Sequence, residues 1–151
     1  MNNFLEKRVL KVVFDTASTD SAGVANTTVA AHPTGVFIPD NAIITNAFYE
    51  VNTTFTSAAS TATIAIMAEG PGDIVAGLAI NSGTTIWNAG LRGTIVGNWV
   101  PTTTHTAIEE AALQAASWVK VDGQKEITFT VGVQVLVLGK LTLYLEYIIG
   151  D

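Results

Sequence analysis

A chain of 151 residues with 48% hydrophobic and only 13% charged residues is long enough to bury a substantial core as one domain. With no cysteine it excludes a disulfide framework, a thiolate metal site and a cysteine nucleophile. A net charge of −6 without a basic stripe argues against nucleic acid as a partner. Mean hydropathy is +0.40; charge is scarce beside the roughly 25% of ordinary domains, so the surplus apolar surface predicts burial in an assembly.

The N-terminal stretch MNNFLEKRVLKVVFD has Glu6, Lys7 and Arg8 interrupting its apolar run, unlike a signal peptide, and is read as part of a mature, soluble protein. Within it Leu10, Val12 and Phe14 alternate with Lys11 and Val13, which predicts a strand. Lys7, Arg8 and Lys11 group there, whereas Val12 to Val119 holds eight acidic residues and one base, Arg92. The basic group has two readings, a strand edge guarded by lysine and an arm that docks on an acidic partner.

The stretch from Asp15 to Gly35, rich in small and polar residues, reads as a long loop. Asp15, Ser18 and Asp20 lack the spacing of a calcium loop, and Asx turns account for them. His32, before Pro33, and the distant His105 have no second histidine at metal-ligand spacing and read as surface residues. AIITNAFYEVNTTFTS predicts one long strand whose mixed pattern calls either for a bulge or for cover on both faces. In STATIAIMA, Ala62, Ile64, Ile66 and Ala68 form the inward side of a further strand.

PGDIVAGLAI offers a short helical turn with Asp73 as its N-cap, weakened by Gly77. From Ile80 to Thr104 the chain again reads as loop, and it carries Trp87 and Trp99. Such rings plug a core edge or a subunit interface, or else stack on a sugar. Thr106 and Glu109 form a capping box before an alanine-rich run to Ala116, which predicts a short helix. Asp122-Gly123 predicts a type I′ hairpin turn. Ile127 to Val135 and Leu141 to Tyr147 alternate on either side of Leu138-Gly139-Lys140, which predicts a long C-terminal hairpin. Its most apolar run, Val131 to Leu138, is far below the roughly 20 residues of a membrane span.

These elements predict an all-β antiparallel sandwich or jelly roll with at most one or two short helices. Residues 1–34 form an N-terminal strand and loop arm of the same domain, and residues 35–151 form its body. No G-x-S-x-G elbow, phosphate loop or paired-carboxylate spacing is present, so no enzyme, catalytic residue, metal or cofactor is assigned.

In GVFIPDNAIITNAFYEVNTTFTS, STATIAI, DIVAGLAI, SGTTIWNAGL and KEITFTVGVQVLVLGKLTLYLEYI, in order from about Gly35 to Ile149, the chain resembles capsid decoration, or cement, proteins of tailed bacteriophages. The resemblance implies a jelly-roll domain, commonly trimeric, that sits on the outside of the head and clamps neighbouring major capsid subunits. It implies a protein of the virion made in the bacterial host cytoplasm, with itself and the major capsid protein as partners, no membrane and no nucleic acid. It transfers no catalytic residue. Lys7, Arg8 and Lys11 are the expected capsid-docking group. The alternative is a tail-fibre, receptor-binding or carbohydrate-binding sandwich, for which Trp87 and Trp99 are the candidate aromatics.

Overall fold

Period-two patterning builds two sheets that face each other across one apolar core. The computed structural model describes residues 6–81, 86–94 and 119–149. Among these residues nine strands follow in chain order: β1 (Arg8–Asp15), β2 (Ala31–Ile38), β3 (Ala42–Ser57), β4 (Thr63–Met67), β5 (Val75–Ala79), β6 (Gly90–Thr94), β7 (Val119–Lys120), β8 (Lys125–Gly132) and β9 (Leu136–Ile149). One sheet has the order β1-β9-β3-β6, with β7 also on β3; the other has the order β2-β8-β4-β5. Every pairing is antiparallel. The chain is thus an all-β sandwich, and no helix occurs among the described residues.

The core is where the two inward faces meet. Val12 and Phe14 of β1, Ile44, Ala47, Tyr49 and Val51 of β3, and Leu141, Leu143 and Leu145 of β9 are buried against Ile64 and Ile66 of β4 and Ile127, Phe129 and Val131 of β8. Phe14 stacks on Phe129 at 4.7 Å between ring centroids, joining the sheets near the middle. Burial of such side chains, at about 1.5–3 kcal/mol each, is the main stabilising term. The bulge expected in β3 is present, as register shifts against β9 between Ile44 and Asn46 and again beyond Val51.

Several expectations fail for one reason: strands consecutive in sequence mostly belong to different sheets. The predicted C-terminal hairpin does not form, because β8 pairs with β2 and β4 whereas β9 pairs with β1 and β3. The reversal lies at residues 133–135, and β9 runs straight through Gly139. At Asp122-Gly123 only Gly123 has positive φ, at 76°, so the turn is not type I′; β7, which precedes the turn, pairs with β3 and not with β8.

The PGDIVAGLAI segment is a turn followed by β5, not a helix. Asp73 there accepts hydrogen bonds from the amides of Ala68, Glu69 and Gly70 and so shapes the β4–β5 hairpin. Two strands lie in stretches read as loop. Strand β2 contains Pro33, which an edge strand tolerates, and β6 is glycine-rich but paired to β3. The helix predicted from Thr106 to Ala116 lies outside the described residues.

Candidate functional site

The chemistry-bearing residues of the described chain gather at three places: the N-terminal edge, the loop between β1 and β2, and the β5–β6 connection. At the edge, β1 pairs with β9 on one side only, so alternation turns Lys11 outward while Val12 and Phe14 face the core. Lys7 forms an ion pair with Glu146, and Arg8 meets Glu6 at 3.3 Å. Lys11 is exposed with no ion-pair partner among the described residues. The structure therefore places the three basic residues along one exposed edge, with two of the three partly neutralised.

The loop from Thr16 to Ala30 closes one end of the sandwich over a buried His–Asp pair. His32 is 0% exposed, contrary to the surface position expected for it. Its Nδ1 lies 3.0 Å from Asp20 Oδ2, and its Nε2 lies 2.9 Å from the Thr28 carbonyl oxygen. A carbonyl only accepts, and so does an ionised carboxylate, so each ring nitrogen faces an acceptor. Burial pushes the Asp20 carboxyl up, but the Val24 amide, the His32 ring and the Ala22 amide outweigh it and hold it below the ordinary value of 3.8.

Asn26 donates to the Asp15 carbonyl at 2.9 Å, and the amide of Ala17 donates to the Asp15 side chain. Asp15 and Asp20 thus both make Asx-type bonds to nearby amides. The accompanying recess, about 50 Å³ and lined in part by Thr19, Asn26, His32 and Thr34, has room for water but not for a sugar or nucleotide. A general base needs a free lone pair on its ring. Here Nε2 donates to Thr28, and the nearby Ser21 hydroxyl donates to Glu126, so this His–Asp pair is built as a structural latch.

At the β5–β6 connection Trp87 is 1% exposed. Its Nε1 donates to the Leu78 carbonyl at 3.2 Å, and its ring packs on Tyr49 and edge-on against Phe55. The ring is a core plug and presents no face to a sugar. Trp99 lies outside the described residues, as does His105. Sequence reasoning missed the Asp20–His32 pair because the two residues are 12 apart with no periodic signal between them; only the loop path joins them.

Carboxyls depressed by their partners set the acid limit of the fold. The Lys140 ammonium and the Ala17 amide hold Asp15 below its ordinary 3.8. The Asp122 amide, with Lys125 adding to it, holds Glu69 below 4.5. The Lys7 ammonium, with Asn46 adding to it, holds Glu146 below 4.5. A carboxyl whose folded value is depressed contributes stability that is full above its unfolded value and is lost as pH falls through its folded value. The melting temperature is therefore expected to be nearly level from pH 7 down to about 5 and to fall progressively below about 4. A thermal melt series across this range checks it, and a maximum below pH 4 would contradict the assignment.

Comparison with known proteins bears on the fold. No protein-family model matches the chain, and no curated protein matches it. Solved structures do. A chain in the acidic stable capsid structure of Helicobacter pylori bacteriophage KHP30 superposes with a TM-score of 0.57 at 12% identity, covering 96% of this chain and 89% of that one. A chain in the capsid of Ralstonia phage GP4 gives 0.55 at 15% identity over 97% and 86%. One in the cyanophage Pam1 capsid asymmetric unit gives 0.56 at 15% over 96% and 86%. At these identities the chain is similar in fold, across nearly its whole length, to chains of three phage capsid structures.

Proposed function

We propose that this protein is a structural component of a phage virion, a homotrimeric decoration protein that binds the outside of the head and stabilises contacts between major capsid subunits. The observation that carries the reading is the fold likeness over 96–97% of the chain to chains within three phage capsids. Low charge, an apolar surplus and a His–Asp pair engaged in holding a loop accord with a structural, non-enzymatic role. A protein that binds assembled shell and not unfolded subunit adds its binding free energy to shell stability, and a trimer multiplies weak contacts through effective concentration.

Lys7, Arg8 and Lys11 are the proposed shell contacts, with Lys11 the most available. Decoration-free capsids mixed with the protein and sedimented are expected to carry it into the pellet. Lys7→Glu, Arg8→Glu and Lys11→Glu together are expected to lower the apparent affinity at least about tenfold, and binding by the parent protein to weaken as salt rises. Failure of the parent protein to bind any such shell would overturn the decoration role. Unchanged binding by the triple variant would overturn only the docking assignment.

A further inference from the structure

Among the described residues, the segments that form the end of the sandwich beneath the His32 latch carry no charged side chain. Three segments meet there: residues 22–30, 57–62 and 133–138. The Leu136 amide donates to the Thr27 carbonyl at 2.9 Å, and Gln134 Oε1 accepts from the Ala59 amide at 3.0 Å and the Thr61 hydroxyl at 3.3 Å. None of the three segments contains Asp, Glu, Lys or Arg. The charges that flank these segments are already engaged, Asp15 with Lys140 at 2.9 Å, Asp20 with His32, and Glu126 with the Ser21 hydroxyl at 3.1 Å.

The same tip is apolar. Val24, Val29, Val133, Val135, Val137 and Leu138 are exposed there, six of the ten exposed large hydrophobic residues among those described. Its apex is strained. Val133 has φ of 67°, and the Gln134 amide donates to the Gly132 carbonyl at 2.8 Å, so a β-branched residue occupies the centre of a γ-turn at positive φ, a rare and costly conformation. Glycine would adopt that backbone without strain. Valine instead holds a side chain 74% exposed at the outermost point of the turn.

A single occupant follows from the charge map. Apart from Glu126, which is held by Ser21 and Gly35, acids elsewhere on the described chain include Asp40 and Glu69 at the opposite end, where they bond the Asp122-Gly123 turn, and Glu50 and Glu146 on the outer face of the five-stranded sheet. Two copies of a chain with net charge −6 that met through those surfaces would set acid against acid, whereas tip against tip is neutral against neutral. Depletion of charge around apolar side chains is the composition of an interface centre, and the tips of several copies can meet around one closed rotation axis. We propose that copies of this chain associate through the tip formed by residues 22–30, 57–62 and 133–138. This deepens the homotrimer reading and rests on it.

Light scattering after size exclusion of the full chain at tens of micromolar tests the contact. The parent protein is expected at a multiple of its 15.8 kDa chain mass. Val135→Asp/Val137→Asp and Val135→Lys/Val137→Lys are each expected at the monomer mass with unchanged far-UV circular dichroism, since both positions are exposed. Mixing the two variants is expected to raise the mass above that of the monomer, because opposite charges would then face each other at two of the three contacts of a mixed trimer; a fold defect would not be rescued in this way. A monomeric parent protein, an Asp variant that keeps the parental mass, or a mixture that stays monomeric would each overturn the proposal. Co-sedimentation of the parent protein with capsids decides the decoration reading separately.

Discussion

Replacing Gly139 by alanine is expected to lower the melting temperature by on the order of 10 °C. Gly139 is buried inside β9 with φ of 154°, where the register against β3 shifts between Thr53↔Lys140 and Thr56↔Leu138. A Cβ there would lie 2.0 Å from Cδ1 of Phe55 and 2.5 Å from two further ring atoms. Phe55 cannot retreat freely, because it is buried and packs on Phe14 and Trp87. Overpacking and backbone strain together cost about 3 kcal/mol or more. Gly139 also holds the loop after β1, since its carbonyl accepts both the amide and the hydroxyl of Thr16 at 3.0 Å. Gly123→Ala is the control: φ is positive there too, at 76°, but nothing lies within 4 Å of the added carbon, so only the left-handed penalty of about 1–2 kcal/mol applies. Thermal unfolding of both variants separates packing from backbone strain, and equal losses would contradict the packing account.

Breaking the latch has the second large effect. His32→Leu leaves the Asp20 carboxylate facing an apolar side chain, and Asp20→Asn removes the charge that His32 faces. Each single change is expected to lower the melting temperature by on the order of 10 °C, because a buried pair that loses one member leaves the other uncompensated. The double variant His32→Leu/Asp20→Asn is expected to lose clearly less than the sum, as contacting residues couple. Hydrogen exchange at the amides of Ala22 and Val24, which donate to Asp20, is expected to accelerate in both single variants. Additive losses would remove the coupling between the two side chains from the account.

How much could be read beforehand depended on whether the signal was local. In β1, β4, β8 and the latter part of β9, apolar residues at every second position marked the inward face, and Val12, Phe14, Ile64, Ile66, Ile127, Phe129, Leu141 and Leu143 are buried as that pattern requires. The bulged length of β3 was legible for the same reason. Strands β2 and β6 were not, because Pro33 and the glycines of β6 argue for loop, and what makes them strands is a partner supplied from elsewhere: β8 for β2 and β3 for β6. Strand β5 was mistaken for a helical turn because its Asp73, a good helix cap, instead caps the hairpin that leads into it. The exposed positions Val133 and Val135 continued the alternation of β8, yet the chain had already turned at Gly132.

By itself, then, the sequence determined an all-β chain with one apolar core, no thiol chemistry, an acidic balance, and a basic edge at Lys7, Arg8 and Lys11. Side-chain chemistry and two-residue periodicity are properties of neighbouring residues, and they survive without a partner. Only the tertiary structure decided that β8 and β9 separate into different sheets, that His32 is buried on Asp20, that Trp87 belongs to the core, and that three uncharged segments meet at one tip. Each of these depends on which distant strand offers its backbone hydrogen bonds and which apolar face lies opposite, and that choice is made by the whole core together.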